Sequence, residues 1–142
     1  MSKDPPGFPS AEKLQPLAHD FGLRLIVLFG SSARGASGKE SDIDLGVLTE
    51  HPLSPAQRLK LWSALSSLLP TDVDLTVLNH ADPLVNYQVA SQGVVLLEMV
   101  PNAWETWKSY AIRHYWDTSK FREALNTYLA SRAEEMRHAA AE

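Results

Sequence analysis

Apolar positions along this chain follow two rhythms, one near 3.6 and one near 2, and together they set the order of elements. Ser10 can cap a helix in which Leu14, Leu17, Ala18 and Phe21 recur at i, i+3, i+4 and i+7, a single apolar stripe. Pro16 falls inside it and removes one backbone bond, and Gly22 ends it. Leu23 to Phe29 is nearly continuous in apolar residues, as expected of a strand covered on both faces and central in its sheet. After the polar connector Ala36 to Glu40, Asp42 to Leu48 reads as a second strand able to lie beside the first. Ser54-Pro55-Ala56-Gln57 opens a helix with a capping box and a proline at its first position. That helix carries Leu59, Leu61, Trp62, Leu65, Leu68 and Leu69 and stops at Pro70.

The rhythm then returns to 2. Asp72, Asp74 and Thr76 alternate with Val73, Leu75 and Val77, a third strand with one polar face. Asp82-Pro83 starts a helix to Gln92, Gly93 closes it, and Val94 to Glu98 forms a short fourth strand. Asn102 to Glu105 repeats the capping-box pattern before a helix to about Trp116. Asp117-Thr118 restarts it, and Phe121, Ala124, Leu125, Tyr128 and Leu129 form another stripe. Strands alternating with helices predict an α+β (α/β) fold, a small mixed sheet covered by helices, with C-terminal helices over 102–138. Residues 1–142 are expected to form a single domain after a loose lead-in at 1–9.

Composition narrows the function. With 44% hydrophobic residues the chain can bury one core. Zero cysteines exclude disulfides, thiolate metal sites and a cysteine nucleophile, and suit a cytoplasmic setting. No apolar run approaches the roughly 20 residues of a membrane span, so no membrane association is expected. A net charge of -4 argues against a basic nucleic-acid groove and for a nucleotide or a protein partner.

The chemistry concentrates where the first strand ends. Gly30 and Ser31 let backbone approach a ligand, and the amides that follow suit an anion. Asp42 and Asp44, two residues apart on a strand, project from one face. Like charges so close repel unless a cation lies between them, and an oxygen-liganded Mg²⁺ that also holds phosphates is the natural candidate. The plain alternative is a pair of solvated acids on an outer face. Asp74, or its neighbour Asp72, could add a further carboxylate. The histidines His19, His51, His80, His114 and His138 lack zinc-type pairing with an acid and read as structural or exposed. The aromatic set Trp104, Trp107, Tyr110, Tyr115 and Trp116 reads as helix packing, with partner docking as the minor alternative.

Gly30-Ser31, ten residues, then Asp42-Ile43-Asp44 resembles the signature of the polymerase-beta-like nucleotidyltransferase superfamily. In so short a chain the likeness is greatest to the minimal nucleotidyltransferases, the MntA-type antitoxins paired with HEPN-domain toxins. The resemblance implies a nucleotidyltransferase fold of two layers from about Leu23 to Trp107. It implies Asp42, Asp44 and Asp74 as catalytic and metal-binding residues, with Asp74 preferred to Asp72. Gly30, Ser31 and Arg34 would bind ATP, the cofactor would be Mg²⁺, and Ser41 would support the loop. Arg34 could equally be a surface residue paired with Glu40 or Asp42.

The resemblance further implies AMP transfer to a tyrosine of a cognate HEPN ribonuclease toxin, in a hetero-oligomer. The alternatives are a small acceptor of aminoglycoside type, or a toxin-binding module whose acids are idle. Drug-modifying relatives usually carry an added helical domain, and only residues 99–142 follow the last strand here.

Overall fold

The computed structural model describes residues 8–30 and 42–141. The elements are α1 (Ala11–Phe21), β1 (Leu23–Phe29), β2 (Ile43–Thr49), α2 (Pro55–Leu68), β3 (Val73–Val77), α3 (Pro83–Gln92), β4 (Val94–Glu98), α4 (Ala103–Asp117) and α5 (Ser119–Ala141). The sheet order is β3-β2-β1-β4. β1 runs antiparallel to both β2 and β4, and β2 runs parallel to β3, so the sheet is mixed. The apolar run of β1 is therefore central, with strands on both sides.

Alternation along the strands divides the core in two. Ile26, Leu28, Leu45, Val47, Val73 and Leu75 pack with Leu14 and Ala18 of α1 and with Leu61 and Leu65 of α2. On the opposite face Leu25 and Val27 meet Val89 and Ala90 of α3 and Ala103, Trp107 and Ala111 of α4. Helices thus cover both faces and make three layers, where the resemblance led to an expectation of two. The reason lies in β1, whose residues from Leu25 to Leu28 are all essentially inaccessible to solvent and demand cover on either side.

The ends of the elements follow local chemistry. α1 continues through Pro16, which lies at its middle and costs it the one backbone bond that an N–H there would make. Gly22, at φ +66°, closes α1 in the left-handed conformation. Ser54 and Gln57 form the expected capping box on α2, with both hydrogen bonds present (2.9 and 3.1 Å). Asn102 does not cap α4: it sits at φ +63° and its side chain makes no capping bond. Glu98 does so instead, accepting from the backbone N–H groups of Asn102 (3.2 Å) and Trp104 (3.1 Å). A carboxylate there also complements the helix dipole.

Two further expectations change. Residues 1–7 lie outside the described residues, but Phe8 packs against the core and belongs to the folded body rather than to a loose lead-in. The stripe on α5 is not buried against the rest of the chain: none of that helix's residues is buried, and Phe121 is 71% exposed. α5 is held at its root, where Arg122 donates to the Tyr115 carbonyl (2.8 Å) and to Thr118 Oγ1 and lies over the Tyr115 ring. Tyr115 in turn stacks on Tyr87 of α3 with ring centroids 4.2 Å apart.

Candidate functional site

The register of the sheet brings the chemistry together. Phe29, the last residue of β1, pairs with Asp44 of β2, and Asp44 pairs with Asp74 of β3. Gly30 follows at the end of this row with φ +71°. A Cβ built on Gly30 would overlap Asp44 Oδ2 and lie 3.1 Å from Asp44 Cγ. Only a residue without a side chain lets the chain leave β1 while the carboxylate occupies that space. Glycine is thus required here twice over, by backbone conformation and by contact.

Asp44 and Asp74 are direct neighbours across the β2–β3 pairing, with side chains on one face of the sheet. The Asp44 carboxyl is held above the usual carboxylate range, first because burial removes water from it, then because Asp74 and Asp42 add negative charge nearby. Among the described residues, no basic side chain forms an ion pair with Asp42, Asp44 or Asp74. Burial and like charge of this kind disfavour the ionised carboxylate, and a bound cation would relieve both.

The sequence-predicted residues separate accordingly. Gly30, Asp44 and Asp74 come together at one end of the sheet. Asp42 is exposed just before β2 and acts on Asp44 through charge alone. Asp72, also exposed, precedes β3, and its carbonyl accepts from the Ile43 N–H (2.9 Å). Ser31, Arg34 and Ser41 lie outside the described residues. Among the described residues no group of three His, Cys, Asp or Glu is arranged to hold a metal ion. The donors are nonetheless all oxygen, and Mg²⁺ takes only one or two protein carboxylates and keeps its other positions for water and phosphate. The Asp44–Asp74 pair, with Asp42 near, fits that demand.

Sequence reasoning missed one feature. A groove of ≈ 410 Å³ opens beside Asp74, walled by Pro55, Arg58, Leu59 and Trp62 of α2 and floored by Val73. Pro55, Arg58, Leu59 and Trp62 stand at i, i+3, i+4 and i+7, a stripe distinct from the buried Leu61 and Leu65. The signal was present in the helix's surplus of apolar residues, which exceed what one buried face can use. Trp62 Nε1 donates to the Val73 carbonyl (2.7 Å) and Arg58 to the Leu75 carbonyl (3.0 Å).

Comparison with known proteins gives a consistent result. The family model described as polymerase beta, nucleotidyltransferase matches residues 12–101, a span that takes in Gly30, Asp42, Asp44 and Asp74. The protein adenylyltransferase MntA of Shewanella oneidensis is 42% identical over 71 residues, 50% of this chain and 51% of the relative. That match spans about half the length of the curated relative. A crystal structure of a toxin-antitoxin with AMP-PNP superposes with a TM-score of 0.73 at 31% identity, covering 86% of this chain and 99% of the other. A structure of the tri-AMPylated Shewanella oneidensis HEPN toxin in complex with its MNT antitoxin superposes at 0.66 and 30% identity, covering 84% and 95%.

Proposed function

Because the chain belongs to the polymerase beta nucleotidyltransferase family, we propose that it transfers AMP from ATP to a tyrosine hydroxyl of a cognate HEPN-domain toxin and so silences that toxin. The observation that carries this reading is the pairing of Asp44 with Asp74 on adjacent strands, with Asp44 packed against Gly30. Paired acids at a bare glycine turn suit a triphosphate accompanied by a divalent ion, and they suit few other ligands. The relative named a protein adenylyltransferase and the toxin complexes with AMP-PNP and AMPylated toxin support the choice of donor and acceptor.

Asp44, with Asp42 and Asp74 to either side, would hold Mg²⁺. When bound, that ion neutralises charge on the phosphate oxygens. Backbone at Gly30, with Ser31 and Arg34 beyond it, orients the triphosphate tail. Asp74 orients the acceptor hydroxyl and takes its proton. The hydroxyl oxygen forms a bond to the α-phosphorus as the bond to the bridging oxygen breaks and pyrophosphate leaves. Placement and fixed charge are the protein's main contributions to such a reaction. Among the described residues no helix is long and apolar enough to cross a membrane, and a cytoplasmic setting, where ATP is supplied, fits the reading.

The test is incubation of the purified protein with α-labelled ATP, Mg²⁺ and a HEPN-domain protein encoded beside it. Label is expected on a tyrosine of that protein. Label on a small molecule, or tight binding of the toxin with no label on it, would contradict the reading.

A further inference from the structure

The groove beside Asp74 has a definite place in the proposed reaction, and the inference drawn from it rests on that proposal. In phosphoryl transfer the entering and leaving oxygens lie roughly in line on opposite sides of the reacting phosphorus. The site is itself linear: Gly30 at the end of β1, Asp44 on β2 and Asp74 on β3 cross three adjacent strands. At a strand spacing of about 4.8 Å the row covers roughly 10 Å. With the triphosphate tail, and hence the leaving pyrophosphate, at the Gly30 end, the acceptor must come from the opposite end. That end is the free edge of the sheet, since β3 is the outermost strand. The groove of ≈ 410 Å³ begins there, with Asp74 as one of its walls.

We propose that the groove between α2 and the outer edge of β3 is the acceptor subsite, and that Leu59 and Trp62 hold the aromatic ring of the tyrosine whose hydroxyl reaches Asp74. The lining suits that occupant. Leu59 is 64% exposed and Trp62 39% exposed, apolar surface that nothing described in this chain covers, at the sheet edge where Asp74 is among the lining residues. The walls are fixed before anything binds, because Trp62 and Arg58 are tied to the Val73 and Leu75 carbonyls. Those same bonds occupy outward-facing carbonyls of the edge strand, so the acceptor cannot dock there by adding a strand. Recognition has to proceed by a side chain entering the groove. A triphosphate is poorly served by the same surface, since Arg58 already spends a guanidinium nitrogen on the Leu75 carbonyl.

The experiment is steady-state AMP transfer to the HEPN-domain protein by wild type, Leu59→Ala and Leu59→Glu, with the toxin and ATP each varied in turn. Leu59 is largely exposed and makes none of the site's hydrogen bonds, so all three proteins should melt within a degree or two of one another. The expected result is a KM for the toxin raised about threefold by Leu59→Ala and tenfold or more by Leu59→Glu, with the KM for ATP unchanged. A raised KM for ATP would overturn the inference by making the groove a nucleotide subsite. Unchanged constants for both substrates would overturn it as well, while leaving the proposed reaction intact. A wild-type protein that labels no toxin would overturn the reaction, and the acceptor subsite with it.

Discussion

Replacing Asp44 by asparagine is expected to abolish AMP transfer while making the free protein more stable. Asp44 is the centre of the row, paired with Asp74 and lying in the charge of Asp42. Its loss should lower the rate by at least about 10³-fold, the scale on which a principal electrostatic stabiliser acts. Stability should move the other way. Burial and two acidic neighbours hold the Asp44 carboxyl above its ordinary range, so the folded state carries a charge it would rather not have. A group whose pKa is raised on folding contributes its full stability below the unfolded value of 3.8 and loses it as pH rises through the folded value. The wild-type protein therefore stands at a disadvantage at neutral pH. Asparagine removes the charge, and its amide can donate to Asp74. In EDTA at pH 7 the variant should melt higher than wild type. The gap should close as pH falls through the raised folded value of Asp44, below which the wild-type carboxyl is itself neutral. Paired melts across pH 4 to 7 measure it. A variant that is inactive and less stable at pH 7 would mean that the carboxylate serves the fold.

The second large effect is expected at Gly30. Alanine there adds one methyl group, which meets two separate obstacles: a backbone at φ +71° that disfavours a side chain, and the Asp44 carboxylate already in the space. The conformational part costs about 1–2 kcal/mol. Gly22 isolates that part, because its φ is +66° and a Cβ there would have nothing within 4 Å. Gly22→Ala should therefore lose about 1–2 kcal/mol in denaturant melts and keep its rate of AMP transfer. Gly30→Ala should lose at least as much stability and in addition lower transfer by about 100-fold or more, because Asp44 must turn away to make room. Equal activity in the two variants would show that the contact with Asp44 has no catalytic consequence.

Much of this was legible in the residues themselves, and the places where it was not are instructive. Period and punctuation placed the elements among the described residues, because Gly22, Pro55, Asp82-Pro83 and Gly93 stand where helices start or stop. The site was legible because strand alternation fixes which side chains share a face. Asp44 and Asp74 needed only the register to bring them together, and the parallel pairing of β2 with β3 supplied it. Long-range chemistry was hidden. Nothing local marks Glu98 as the cap of α4, since the partner lies across a turn and displaces the nearer Asn102. The groove was also hidden, because Leu59 and Trp62 look like core residues until α2 is seen to bury only its Leu61–Leu65 side. Asp42 lies one residue before β2 begins, so its place near Asp44 follows from the two-residue spacing rather than from the strand pairing.

The measurement that bears most directly on the central claim is calorimetric titration of AMP-PNP into the protein with Mg²⁺ and, separately, with EDTA. It needs no acceptor, so it isolates the acids and the glycine turn. Wild type is expected to bind at least tenfold more tightly with Mg²⁺ than with EDTA, and Asp44→Asn is expected to lose this difference. Equal affinity in Mg²⁺ and EDTA for the wild-type protein, or an undiminished Mg²⁺ effect in the variant, would contradict that claim.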